Sequence, residues 1–223
     1  MKLKLLIVFT LITIAIHAKD VLYQCDFSKG KWEASEWQII KSPRWSYIGD
    51  WEQHPDHIAN KVPKNASEEE MLNKRAGETY TSMILKEKFS QNLTITSTMS
   101  FDYRMAPAIV ITPGYGKDAD DNLEHREHFE IVLFDKGLNV WHHYYTDGKP
   151  YWKKAAFIDA DFESKNKYSL SVEIKTDERG TTMIVSCEGK TFGFMDDSIP
   201  KMFYVGITGC EGVNRFYDFQ ISK

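Results

Sequence analysis

The densest run of residues able to do chemistry lies between Glu124 and Tyr145, EHREHFEIVLFDKGLNVWHHYY. Arg126, His128, Glu130 and Val132 alternate with Phe129, Ile131 and Leu133. A period of two puts the first group on one face of a β-strand and the apolar group on the other. Trp141, His143 and Tyr145 continue the same spacing further on. A carboxylate beside an imidazole orients the ring and raises its pKa, which is what a general acid or base needs. Glu130, His128 and His143 are therefore candidate catalytic groups. Arg126 joins them as a group able to grip a carboxylate or sulfate on a ligand.

Such residues need a hairpin to bring them together. Asp135-Lys136-Gly137 is the turn signal, with glycine available for a positive φ. Two registers are open. One brings Asn139, Trp141, His143 and Tyr145 beside Glu130; the other brings Val140, His142 and Tyr144. The first is favoured because it buries Leu138 and Val140. In either register a histidine is expected opposite Glu130.

Two further stretches could add to the site. Asp102 and Arg104 alternate with Phe101, Tyr103 and Met105, so they share the polar face of a strand that could lie in the hairpin's sheet. Trp45, Tyr47 and Trp51 make an aromatic loop with His54 and His57 behind it. Flat rings stack on the C–H faces of sugars, so the candidate ligand-binding set is Trp45, Tyr47, Trp51, Asp102, Arg104, Trp141 and Tyr145.

No cofactor motif is present. His54-x-x-His57 and His125-x-x-His128 resemble metal-ligand pairs, but residues three apart on a strand face opposite ways, so no metal ligand is assigned. Asp118 to Asn122 is rich in oxygen and could hold a structural Ca²⁺. Gly-x-Ser-x-Gly, P-loop and dinucleotide glycine patterns are absent.

The chain has 223 residues and a net charge of −4. It opens with Lys2 and Lys4, an apolar run from Leu5 to Ile16, and His17-Ala18-Lys19. This pattern is that of a secretory signal peptide cleaved after Ala18, because the run is shorter than the ~20 residues a membrane helix needs. Cleavage removes Lys2 and Lys4, leaving 26 basic residues against 32 acidic ones, a net charge of −6. That balance argues against nucleic-acid or anionic-membrane partners. A periplasmic or secreted protein is expected. Export permits a disulfide, and terminal strands would bring Cys25 near Cys210, but three buried thiols are the expected state of Cys25, Cys187 and Cys210.

Residues 19–223 read as one β domain. Short alternating runs begin at Val21 and recur to Ile221, with turn signals such as Glu178-Arg179-Gly180 and Glu188-Gly189 between them. Helix signals are few; Ser67 with Glu70 forms one capping box. Residues 44–75 read as a long decorating loop. The pattern predicts an all-β antiparallel sandwich.

The strand series, the N-terminal Cys25-Asp26-Phe27, and the ending Val205-Gly206-Ile207-Thr208-Gly209-Cys210 through Arg215-Phe216-Tyr217-Asp218-Phe219-Gln220-Ile221 resemble the concanavalin A-like lectin and glucanase jelly roll. The Glu-x-Asp-x-x-Glu strand of one large glucanase family is absent. The resemblance implies a ligand groove on the concave sheet, and a structural Ca²⁺ where Asp26 and Asp218 meet. The leading expectation is a protein that binds a poly- or oligosaccharide. An alternative is a glycoside hydrolase pairing Glu130 with Asp102, Asp50 or Glu52 at about 5–10 Å. A polysaccharide lyase would instead use Arg126 against a uronate and His143, His128 or Tyr145 as base or acid. A non-catalytic protein-interaction module is the remaining alternative.

Overall fold

Alternation sets the two layers of the fold. In Gly180–Cys187 every second residue is buried, with Thr181, Met183, Val185 and Cys187 facing in. Leu93–Phe101 does the same with Leu93, Ile95, Ser97 and Met99. A computed structural model describes residues 20–223, so the candidate signal segment, residues 1–18, falls outside the described residues.

One sheet runs in the order Lys190–Met195, Gly180–Cys187, Tyr168–Asp177, Leu93–Phe101, Asn214–Phe216, Ile58–Asn60, Trp51–Gln53. The terminal strands Val21–Asp26 and Asp218–Ser222 pair with each other, and the latter also joins Leu93–Phe101. The second sheet runs Lys149–Asp159, Gly137–Thr146, His128–Phe134, Ala108–Thr112, Met202–Gly209, Thr81–Leu85, Trp37–Ile40. All named strand pairings are antiparallel. The two sheets close over a core that includes Phe27, Phe101, Phe129, Phe203, Phe216 and Phe219, all fully buried. Each such side chain is worth about 1.5–3 kcal/mol of burial.

The segment 44–75 is more than a decorating loop. Trp51–Gln53 and Ile58–Asn60 are the last two strands at one end of the first sheet, with Trp51–Gln53 at its edge, and Glu68–Asn73 is a helix. Ser67 and Glu70 cap that helix reciprocally, as their spacing predicts.

The second sheet has a second apolar surface on its outer side. Ala108–Thr112 is buried on both faces: Ile109 and Ile111 enter the inter-sheet core, while Val110 packs with Ile40 and Ile84 outside it. A small hairpin, Tyr115–Lys117 with Leu123–His125, covers this outer cluster through Tyr115 and Leu123. At the other end Ala106, Ala108 and Val132 form a further patch with Met105 and Trp141. Between the two apolar patches lies a polar belt.

Two glycines are needed for close approach. A Cβ on Gly206 would stand 2.0 Å from the Met83 carbonyl oxygen. Gly137, at φ 144°, would put one 2.0 Å from the Ile158 carbonyl oxygen.

Candidate functional site

The hairpin His128–Phe134 with Gly137–Thr146 puts the favoured set, Asn139, Trp141, His143 and Tyr145, on the face of Glu130, but its pairing is neither of the two expected: His128 faces His143, Glu130 faces Trp141, and Val132 faces Asn139. The two-residue connection is Asp135-Lys136, since Phe134 pairs with Gly137. Glu130 therefore has a tryptophan, not a histidine, directly opposite. His143 is its diagonal neighbour, close enough for long side chains to meet. His142 points to the other face, stacked on Phe129 with Nε2 2.9 Å from Glu127 Oε1.

The polar belt is built from these strands and their neighbours. His125, His128 and His143 form a stack, with ring centroids 4.4 Å and 4.3 Å apart and near-parallel planes. All three are buried, His125 and His128 completely. Glu130 stands beside the stack, its Oε2 3.3 Å from His143 Nε2 and its Oε1 3.8 Å from His128 Nε2. The Tyr80 hydroxyl donates to Glu130 Oε1 at 3.1 Å. Ser82 Oγ lies 3.1 Å from His125 Nε2 and accepts from Thr208 at 2.8 Å.

Burial and charge pull these groups apart in pKa. Burial alone would raise Glu130, but His143 and His128 outweigh it and hold the carboxyl well below its usual range. Burial drives His125 well down, helped by His128, and lowers His128, helped by His143. The Tyr80 phenol is pushed far up by burial and by Glu130.

Glu130 and His143 open onto a pocket of about 170 Å³. Trp45, Trp141 and Trp152 wall it, and Tyr80, Arg44 and Glu211 also line it. The Arg44 guanidinium lies 4.4 Å from the Trp45 ring centre and 4.3 Å from that of Trp152. Such a cation between two indoles ties the walls together. Trp152 faces His143 across the strand pair and is 47% exposed. Glu211 is the second carboxylate. Burial raises its pKa, Arg44 opposes this, and Glu130 adds to the rise. The two carboxyl groups are thus shifted in opposite directions, Glu130 down and Glu211 up, the kind of split an acid/base pair uses.

The loop carrying Glu211 is held by two buried asparagines. Asn60 Nδ2 donates to the carbonyls of Thr79 (2.7 Å) and Gly212 (2.9 Å), and Asn60 Oδ1 accepts from Asn214 N–H (2.8 Å). Asn214 Nδ2 donates to the Cys210 and Gly212 carbonyls. The Glu211 N–H donates to Thr79 Oγ1 at 2.7 Å, while Glu211 itself sits at φ 58°.

Of the sequence candidates, Glu130, His143, Trp45 and Trp141 meet in the pocket, and His128 lies just behind it. Arg126 does not. It bonds Glu124, donates to the Lys117 carbonyl at 2.7 Å and lies 3.1 Å from the Tyr145 hydroxyl, so Arg126 and Tyr145 belong to a separate cluster. Lys41 completes that cluster, 2.8 Å from Asp118 and 3.3 Å from Glu124. Asp102 lies in the other sheet's end and is paired with Arg215, and Arg104 pairs with Asp135 at 3.0 Å. Trp51 packs on Phe216 in that same opposite sheet, and Tyr47 is outside the pocket lining. Alternation on each strand was legible, but which sheet the strand joins was not.

At the positions expected for Ca²⁺ the carboxylates have protein partners. Asp26 and Asp218 are cross-strand partners, yet Asp26 accepts from Ser28 N–H and Lys31, and Asp218 accepts from Thr98 N–H. Asp118 is occupied by the Lys41 ammonium and by Asn122. Cys25, Cys187 and Cys210 are buried free thiols.

Sequence reasoning missed Arg44, Tyr80, Trp152 and Glu211. Only Trp152 left a trace, as a tryptophan in the strand that follows the hairpin. Glu211 reaches the pocket through the Asn60 and Asn214 clasp, which no local pattern reveals.

No protein-family model matches the chain, and no curated protein matches it in sequence. Solved structures do match. A carbohydrate-binding module, CBM66 from Bacillus subtilis, superposes with a TM-score of 0.56 at 11% identity, covering 84% of this chain and 96% of that one. The fold is a concanavalin A-like jelly roll. A protein of unknown function with a galectin-like fold from Bacillus subtilis matches this jelly roll at a TM-score of 0.59 and 11% identity, over 91% of this chain and 96% of the other. An endo-β-galactosidase from Clostridium perfringens matches at 0.59 and 7% identity. The jelly roll covers 92% of its own length there and 62% of the enzyme. At these identities the likeness establishes the fold and leaves the function to the site.

Proposed function

We propose that this protein binds a poly- or oligosaccharide, one ring at a time, in the pocket of its concave sheet. The observation that carries this is the Trp45–Arg44–Trp152 stack standing over Glu130 and Glu211. Indole faces take the apolar face of a sugar ring, and carboxylates and guanidinium take its hydroxyls. At about 170 Å³ the pocket is smaller than the roughly 300–1,000 Å³ of ordinary ligand sites. It suits a single ring or chain end better than an extended segment. The carbohydrate-binding neighbours support this reading through the shared fold. The signal-like N-terminus supports a periplasmic or secreted setting.

The test is a glycan-array and polysaccharide-binding screen of the mature protein, repeated with Trp152→Ala. Trp152 is exposed and packs outside the core, so the variant folds. Loss of a stacking indole is expected to weaken binding about tenfold or more. Equal binding by both proteins would refute the pocket as the site.

A second reading rests on Glu130 and Glu211: hydrolysis of a glycosidic bond, with Glu211 as acid and Glu130 as base or nucleophile. Release of reducing sugar that disappears in Glu211→Gln would support it. Lyase chemistry through Arg126 and Tyr145 loses its basis, because neither residue lines the pocket.

A further inference from the structure

Three ring nitrogens in the polar belt have no partner, His125 Nδ1 and two that stand beside Glu130. His128 Nε2 and His143 Nε2 are both buried and make no hydrogen bond. Each stands within ionic reach of Glu130 without the geometry of a hydrogen bond to it. A buried polar atom left unsatisfied costs about 1–3 kcal/mol. Two of them beside one buried carboxylate point to an occupant that accepts lone pairs.

The protonation of His128 fits that role. Its Nδ1 is 2.9 Å from the Arg126 carbonyl oxygen. A carbonyl can only accept, so Nδ1 carries the hydrogen and Nε2 carries the lone pair. Metal-bound histidines are usually oriented in this way, by a carbonyl on the far ring nitrogen. Tyr80 supports Glu130 in the same manner, with a hydrogen bond to Oε1.

We propose that His128, Glu130 and His143 hold a divalent transition-metal ion of the zinc type at the floor of the pocket, with one coordination position open to the cavity. The three ligand atoms lie within 4.8 Å of one another. Bonds of about 2.0–2.2 Å in a tetrahedron put ligand atoms about 3.3 Å apart. The Glu130–His143 separation of 3.3 Å already meets this, and Glu130–His128 at 3.8 Å needs a small contraction. Two imidazoles and one carboxylate suit zinc and its neighbours, whereas Ca²⁺ and Mg²⁺ call for six or more oxygens. His128 and His143 are stacked at an interplanar angle of 11°, so their lone pairs run side by side. Metal entry tilts one ring to make them converge. His143 has the room, because it borders the pocket, while His128 is closed in by His125 on its other face. The open position follows from the same asymmetry: Glu130 and His143 line the cavity and His128 does not. This site stands on the orphaned nitrogens and does not depend on saccharide binding.

The test uses the mature protein stripped with a chelator and titrated calorimetrically with ZnCl₂. Cobalt substitution provides a visible spectrum that reports the ligand geometry. One equivalent of Zn²⁺ is expected to bind, and Co²⁺ is expected to give the strong visible absorption of a tetrahedral site. His143→Ala and the milder His143→Gln should each weaken binding by more than about tenfold, the loss that even supporting residues produce. His142→Ala, on the opposite face, should leave it unchanged. Circular dichroism of each variant separates loss of ligand from loss of fold. The half-buried pair His54 and His57, stacked at 4.4 Å, is the competing site. Absence of Zn²⁺ uptake overturns the proposal. So does uptake that survives both His143 variants, or that disappears in His54→Ala instead.

Discussion

Replacing Asn60 tests how the pocket's second carboxylate is held. Asn60 is 2% exposed and serves three groups at once. In Asn60→Ala the Gly212 carbonyl keeps its bond from Asn214 Nδ2 at 3.0 Å. The Thr79 carbonyl and the Asn214 N–H lose the bonds that Asn60 supplied. Two buried groups at about 1–3 kcal/mol each give a loss of about 2–6 kcal/mol. That is a large share of the 5–15 kcal/mol that typically holds a domain together. Asn60→Asp sharpens the argument, because it keeps the shape and the acceptor for Asn214 N–H. It replaces the donor with a second acceptor aimed at two carbonyl oxygens. At pH 7 it should be at least as destabilising as alanine, since a buried carboxylate there is set against two carbonyl oxygens. Its folded pKa is then raised above the unfolded value. The stability deficit is full above the folded pKa and is recovered as pH falls through it, where the protonated acid regains one donor. The assay is urea unfolding followed by tryptophan fluorescence at pH 7 and pH 4.5, comparing midpoints and m-values. The reasoning fails if Asn60→Ala lies within about 1 kcal/mol of the wild type. It also fails if Asn60→Asp is more stable than Asn60→Ala at pH 7.

Three other outcomes follow from the same geometry. Gly206→Ala places a methyl 2.0 Å from the Met83 carbonyl and 2.7 Å from Ile84 Cα, so the central strands must part; it should lower the melting temperature sharply or abolish soluble expression. Asp118 is held below its usual pKa, chiefly by the hydrogen bond from Lys41. Its contribution is complete above the unfolded value of 3.8 and is lost as pH falls through the lower folded one, so Asp118→Asn should flatten the acid limb of a stability-against-pH curve. Burial pushes the thiols of Cys25 and Cys187 up to about 12 and raises that of Cys210 well above its usual value. All three should resist a thiol reagent in the native protein and react once it is unfolded; fast native labelling would contradict their burial.

The two-residue period of EHREHFEIVLF was enough to place Phe129, Ile131 and Leu133 in the core and Glu130 on the opposite face. Burial of Leu138 and Val140 was enough to choose His143 over His142 for Glu130's face. Both follow from local physics: a pleated strand alternates, and apolar residues seek the core. The capping box at Ser67 and Glu70 was legible for the same reason.

What lay beyond the sequence was set by contacts between distant segments. Arg126 has the right spacing to join Glu130. The hairpin Tyr115–Lys117 with Leu123–His125 instead captures it, through the Lys117 carbonyl and Glu124. Asp102 and Trp51 alternate correctly but belong to the other sheet, a matter of strand order rather than pattern. Burial of His125 and His128 depends on that same covering hairpin, since a strand face is wet or dry according to what lies over it. Glu211, some eighty residues after Glu130 in sequence, reaches the pocket because Asn60 and Asn214 fold its loop inward. Local alternation thus determined which face each residue takes. Tertiary packing decided which faces meet, because sheet order and covering loops are fixed by contacts that no short stretch of chain contains.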